Sequence, residues 1–213
     1  IYTTLRNMTH APSSHQNDSG LMAMGCSKVS VKGNTGILFI IRTRKQNLDT
    51  RLRAINETWL VDVQQSSSDA LLVVGNYEIP NPPVSQAIMC SNDHGMGLTC
   101  MTVYALELAN RLRDHFAWFF VVDDDLYMNR ENANLALSAF DPSTEIALGI
   151  PGCGTHLCNS KGGFCGGGGY VLSRGAMKHI MSPDVEAFNK DFMSHLAGGH
   201  GEEVYDDVTV GCL

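Results

Sequence analysis

Five consecutive apolar residues, Trp118-Phe119-Phe120-Val121-Val122, run straight into Asp123-Asp124-Asp125. A run that is apolar at every position, not at alternate ones, fits a strand covered on both faces, the habit of parallel sheets in α/β proteins. In an open α/β sheet the carboxyl ends of the strands face the ligand crevice, so this strand would deliver three carboxylates to the place where ligands bind. Adjacent carboxylates repel one another unless a cation neutralises them. Oxygen-only donors suit Mg²⁺ or Mn²⁺, and such an ion would let an acidic protein hold a diphosphate. A calcium-binding EF-hand starting at Asp123 is excluded, because it requires Gly at 128 and Glu at 134 where this chain has Met128 and Asn134. The remaining alternative, a solvated acidic turn, stays open at this point, although such turns rarely follow a wholly apolar strand.

Two more buried runs precede this one, Ile37–Ile41 and Ala70–Val74, with a helical stretch at residues 50–60 between them. Strand, helix, strand at that spacing is a βαβ unit. Met101, Tyr104, Leu108 and Leu112 recur at helical spacing within 97–115. Residues 131–140 and 184–196 can form further helices, and Ile146–Ile150 and Tyr170–Leu172 short strands, with Ser173 as a helix N-cap. The alternation predicts an α/β fold with a mostly parallel central sheet over residues 35–213. Residues 1–34 are polar and aperiodic and read as a stem or linker. Hydrophobic residues make up 44% of the 213, enough for a sizeable core, while a net charge of −7 without a Lys/Arg cluster argues against nucleic acid. No run of eighteen apolar residues occurs, so any membrane attachment would come from a segment outside this chain.

Three further features carry chemistry. Gly162-Gly163-Phe164-Cys165-Gly166-Gly167-Gly168-Gly169 reads either as a flexible loop or as a close backbone approach to a ligand, and it lacks the lysine of a P-loop. Glu202-Glu203-Val204-Tyr205-Asp206-Asp207 reads either as a solvated helix start or as a desolvated carboxylate of raised pKa, suited to act as a base. Seven cysteines, with the sequons at Asn7, Asn17 and Asn56, favour an oxidising, glycosylating compartment. Cys90 and Cys100 flank a polar loop, and a local disulfide is the natural reading. The spacing of Cys153, Cys158 and Cys165 matches no common zinc site.

With these stretches in hand, residues from about 36 to 213 resemble the Fringe-like branch of the β-1,3-glycosyltransferases. The first motif is Ile40-Ile41-Arg42-Thr43-Arg44-Lys45 with Arg51-Leu52 and Glu57-Thr58-Trp59. The second is Trp118-Phe119 through Asn129, the third Gly166 through Gly175, and the fourth Asp206-Asp207-Val208-Thr209-Val210-Gly211. Four motifs in the right order are specific together. The resemblance implies a GT-A-type nucleotide-sugar-binding domain, a UDP-sugar donor, Mn²⁺ and inversion at the anomeric carbon. It implies Asp125 as metal ligand, Asp124, Gly167 and Gly168 as donor contacts, Arg42 on the uridine or diphosphate side and Asp207 as catalytic base. Cys90 and Cys100 match a local disulfide of the family. The positions of its second disulfide carry Phe120 and Val171.

The family's histidine metal ligand would fall beyond Leu213, so the catalytic domain is expected to be incomplete at its C-terminal end. The expected acceptor is a sugar on a glycoprotein or glycopeptide, and the expected compartment the Golgi or secretory-pathway lumen. Gly-Tyr-Val-Leu-Ser (169–173) and Cys212 resemble the core 1 galactosyltransferases equally. That leaves transfer of GlcNAc or another hexose, core 1-type galactosyl transfer to O-linked GalNAc, and a silent lectin-like binder as competing readings.

Overall fold

The structure, a computed structural model, describes residues 35–213 apart from 78–84, 88, 94, 155–161 and 198–204. The predicted stem, the sequons at Asn7 and Asn17, and Cys158, Glu202 and Glu203 lie outside the described residues. Strand β1 (Ile37–Thr43) is buried along its whole length because it pairs in parallel with β2 (Ala70–Gly75) on one side and β4 (Trp118–Asp123) on the other. The short β3 (Ser85–Gln86) extends the parallel array beyond β2. Beyond β4 lie β8 (Tyr170–Ser173), antiparallel to it, and then β5 (Ala147–Gly149), antiparallel to β8. The sheet order is β3-β2-β1-β4-β8-β5, so only β8 runs against the rest. A two-stranded ribbon, β6 (Pro151–Cys153) with β7 (Gly163–Phe164), stands beside it.

Strand periodicity sorts the side chains into two layers. Leu38, Ile40, Leu72, Val74, Phe119 and Val121 face helix α3 (Met96–Arg111), which buries Met101, Ala105, Leu106 and Ala109 against them. Tyr104, Leu108 and Leu112 pack at the margin of that face. Ile37, Phe39, Ile41, Val73, Trp118 and Val122 face the opposite way, onto Leu52, Ile55, Trp59, Leu60 and Val63. Each such fully buried side chain stabilises the fold by about 1.5–3 kcal/mol, which is why a wholly apolar strand is tolerated here.

The helical stretch expected over 50–60 is broken. A π-helical turn (Leu48–Leu52) runs into α1 (Arg53–Asn56), and α2 (Leu60–Gln65) restarts after Trp59. Thr58 supplies the reason: its Oγ1 bonds back to the Ala54 carbonyl at 2.6 Å, competing with the helical ladder. Trp59 then turns inward and donates Nε1–H to the Leu126 carbonyl at 3.0 Å. Asn56 stands exposed at the end of α1.

Helix α4 (Arg130–Leu137) begins where the Asn129 side chain accepts from the Asn132 amide, and α5 (Arg174–Ile180) where Ser173 accepts from the Ala176 amide. Two more helices, α6 (Val185–Ala197) and α7 (Asp206–Cys212), complete the chain. A Cβ on Gly163 would stand 2.1 Å from the Val208 carbonyl oxygen, so only glycine lets α7 lie against β7. Disulfides join Cys90 to Cys100 and Cys153 to Cys165, and Cys212 is disulfide-bonded as well. The Cys153–Cys165 bond removes any zinc reading of that cluster. Phe120 and Val171 are direct cross-strand partners in the β4–β8 pairing, the geometry that a second disulfide at those two positions would need. Among the described residues no helix is long and apolar enough to cross a membrane.

Candidate active site

The carboxyl ends of β1 and β4 lie side by side, with Arg42 and Asp123 in register. They open into a cleft of about 300 Å³ whose wall includes Thr43, Arg44, Asn47, Arg51 and all three aspartates of the acidic motif. The alternation that sorts the core also separates these acids. Asp123 shares the parity of Phe119 and Val121 and meets Arg42 on the α3 side, Nη2 to Oδ1 at 2.8 Å. Asp124 goes to the other side and is buried. It accepts from Thr43 Oγ1 at 2.7 Å, Asn47 Nδ2 at 2.8 Å and Arg51 Nη1 at 3.0 Å. Asp125 is the exposed member, 3.1 Å from the same Arg51 nitrogen with its side chain 57% open to solvent.

Arg42 also lines the cleft, although its guanidinium is bonded mainly to internal partners. Its side chain is 2% exposed, with Nη2 on Asp123 and Nη1 shared between Asp206 and Thr102 Oγ1, the latter at 2.5 Å. Thr102 Oγ1 in turn donates to Asp206 at 2.6 Å. Burial works against the Arg42 charge, but Asp206 and Asp123 outweigh it and hold the guanidinium pKa above its ordinary value. Arg42, expected to hold the uridine or diphosphate side, thus stands in the cleft wall with both its terminal nitrogens bonded to internal acids. The exposed guanidinium at the cleft is that of Arg51. Arg44 also lines it, tied by Nη2 to the Asp93 carbonyl at 3.2 Å, inside the loop that the Cys90–Cys100 disulfide closes. A charged residue ending a wholly apolar strand was itself a signal, because a buried arginine demands a buried acid. No sequence signal pointed to Thr102.

Asp207 occupies the first turn of α7 beside the buried Asp206. Its carboxylate faces the glycine loop, so that a Cβ on Gly166 would stand 2.5 Å from Oδ2. Burial, then repulsion by Asp206, raise its pKa above the usual carboxylate value, while the amides of Val208 and Gly166 pull the other way. Asp123 is raised too, by burial first, with Arg42 opposing. Gly169, at φ 70°, packs where a Cβ would meet the Val121 carbonyl at 2.7 Å, seating the loop on the end of β4. Nothing stands within 4 Å of a Cβ built on Gly167. Asp207, Gly167 and Gly168 are not among the described residues lining the cleft; Asp207 is linked to it through its neighbour Asp206, which pairs with Arg42.

A mostly parallel sheet with acids and guanidinium groups gathered at its carboxyl edge defines an α/β domain built to hold a polar ligand there. The Fringe-like family profile matches residues 33–213, and the chain belongs to that family, whose domain has the GT-A type of fold. It is similar to a β-1,3-glucosyltransferase of Homo sapiens, 25% identical over 163 residues covering 73% of this chain and 30% of that protein. It is also similar to a β-1,3-N-acetylglucosaminyltransferase radical fringe of Gallus gallus, 26% identical over 199 residues covering 83% of this chain and 50% of that protein. A β-1,3-glucosyltransferase of Mus musculus matches at 24%. The chain thus spans between 30% and 50% of the length of these relatives.

Proposed function

We propose that this chain is the catalytic part of an inverting β-1,3-glycosyltransferase that takes a hexose, GlcNAc or Gal, from a UDP-sugar and transfers it to a sugar on a glycoprotein. The observation that carries the reading is Asp207, a half-buried carboxylate of raised pKa braced against the glycine loop next to the acidic cleft. In an inverting transfer the acceptor hydroxyl attacks the anomeric carbon and loses its proton to a base. Asp207 takes that proton. Arg51 and Arg44 face the anionic donor from the cleft wall, and Asp124 acts on the donor through the Arg51 and Asn47 groups that it holds in place. Gly167, open above its Cα, lets a ligand approach the loop backbone.

No group of three His, Cys, Asp or Glu stands ready as a metal site among the described residues. The donor chemistry at Asp125 still fits Mn²⁺ or Mg²⁺: the carboxylate is exposed, and among the described residues neither thiolate nor imidazole lines the cleft. Such ions take one or two carboxylates and complete their shell with water and substrate phosphate. When bound, the ion would offset charge on the diphosphate leaving group. The fitting compartment is the secretory-pathway lumen, the Golgi in particular, since the Cys90–Cys100 and Cys153–Cys165 disulfides and the disulfide-bonded Cys212 persist only under oxidising conditions.

The test is a transfer assay on the full-length protein with a panel of UDP-sugars and glycopeptide acceptors, run beside Asp207→Asn. The variant keeps the shape and removes the proton acceptor, so turnover should fall by about 10²–10⁴-fold with donor affinity little changed. Near-normal turnover in Asp207→Asn would remove it as the base. Glycan binding without transfer in the wild type would favour the lectin-like reading, and transfer only to O-linked GalNAc the core 1 reading.

A further inference from the structure

Arg42 joins three segments that the chain keeps far apart: the end of β1, the acidic motif at Asp123 and the first turn of α7 at Asp206. Helix α3 supplies a fourth contact through Thr102. We infer that Arg42 is the positioning residue that holds the turn bearing Asp207 in register with the cleft, acting through Asp206. The inference rests on the transferase reading above.

The geometry leaves little else for this arginine to do. Its side chain is 2% exposed and that of Asp206 5%, so although Arg42 borders the cleft its guanidinium is directed mainly to internal partners. A buried ion pair adds little net stability over an apolar pair of the same volume, yet removing one partner is strongly destabilising, so such a pair fixes geometry rather than adding strength. The planar guanidinium is essential to that, because one nitrogen serves Asp123 and another serves Asp206 and Thr102. Asp206 and Asp207 are neighbours on one helical turn, so a displacement of the first carries the second with it. On its far side Asp207 meets the Gly166 amide. The turn is therefore held from both sides, by Arg42 through Asp206 and by the glycine loop.

The experiment compares Arg42→Lys, Asp206→Asn and the double variant in the full-length protein, measuring kcat, donor KM and the pH profile. A lysine is a single point charge and can serve only one of the two acids. A misplacement of the base on the order of 1 Å costs about 10²-fold, so kcat should fall in that range while donor KM stays within about twofold. The two single effects should not add, since both break the same link. Asp206→Asn should also move the acid limb of kcat to lower pH, because it removes the like charge that raises Asp207 while leaving burial and the Val208 and Gly166 amides in place. Amide hydrogen exchange across residues 163–169 and 205–212 provides a readout independent of activity, and exchange there should quicken in both single variants. A raised donor KM with unchanged kcat would overturn the inference and return Arg42 to donor binding. Additive effects, or unchanged exchange in these segments, would overturn it as well. If the wild type transfers nothing, the functional reading fails, and the exchange data alone decide whether Arg42 holds the turn.

Discussion

A methyl group added at Gly166 would stand 2.5 Å from Asp207 Oδ2, and the backbone there is not in the left-handed region, so the collision is steric alone. Ordinary contact begins at 3.4 Å, so Gly166→Ala must push the carboxylate or the loop apart by about 0.9 Å. A proton acceptor displaced by that much loses its alignment with the attacking hydroxyl, and kcat should fall by about 10²-fold. The loop is partly exposed, so the melting temperature should change by no more than a few degrees, since a loss of about 1 kcal/mol shifts a domain of this size by only ~2–4 °C. Gly167→Ala is the matched control. Nothing lies within 4 Å of its new methyl group, so Asp207 stays in place, and any loss should appear in substrate KM and not in kcat. The assay is steady-state transfer with both substrates varied, alongside thermal melts. Equal kcat in Gly166→Ala and wild type would refute the claim that the glycine loop braces the base, as would a larger kcat loss in Gly167→Ala.

Three more outcomes are expected. Replacing Cys90 and Cys100 with serine opens a link spanning 10 residues and should cost about 2–3 kcal/mol, read from denaturant unfolding; a change below about 0.5 kcal/mol would refute it. Ser173→Ala removes the cap on the Ala176 amide together with bonds to the Ile146 amide and the Thr144 carbonyl, all at a buried position, and should destabilise by about 2–3 kcal/mol; Ser173→Thr should recover part of that. A base with a raised pKa must still be deprotonated to work, so kcat should decline, as pH falls, with a midpoint above the ~3.9 of a free aspartate; a midpoint at or below that value would contradict the burial of Asp207.

The sheet was legible because burial on both faces leaves a continuous apolar run, and β1, β2 and β4 all carry one. Helix starts were legible where the capping side chain is local, as at Ser173. The interruption at Thr58 was missed because a hydroxyl bonding back to the preceding turn looks the same in sequence as one facing water. At the site, the sequence pointed to the acids and the glycine loop but not to which acid faces where. That depends on strand parity, and Asp123, Asp124 and Asp125 look alike until the register is known. The pairing of Arg42 with Asp206 was hidden because the two lie 164 residues apart, and no local pattern encodes it. The reversed direction of β8 was equally hidden, since four residues of strand carry no sign of their polarity.

Because β4 sends successive residues to opposite layers, it acts as a counter for the acidic motif that follows. Asp123 reaches Arg42, and Asp124 reaches Asn47 and Arg51, only because of the number of residues separating them from Trp118. A single-residue deletion inside β4 would leave every aspartate in the chain yet shift their addresses, sending Asp124 toward Arg42, Asp125 to the place beside Arg51 and Asn47, and Asp123 into the apolar layer where Val122 now packs. Substitutions along the strand can be absorbed by repacking, whereas a change in its length cannot. Insertions and deletions in this lineage should accordingly fall in the loops around the strand and never between Trp118 and Asp125.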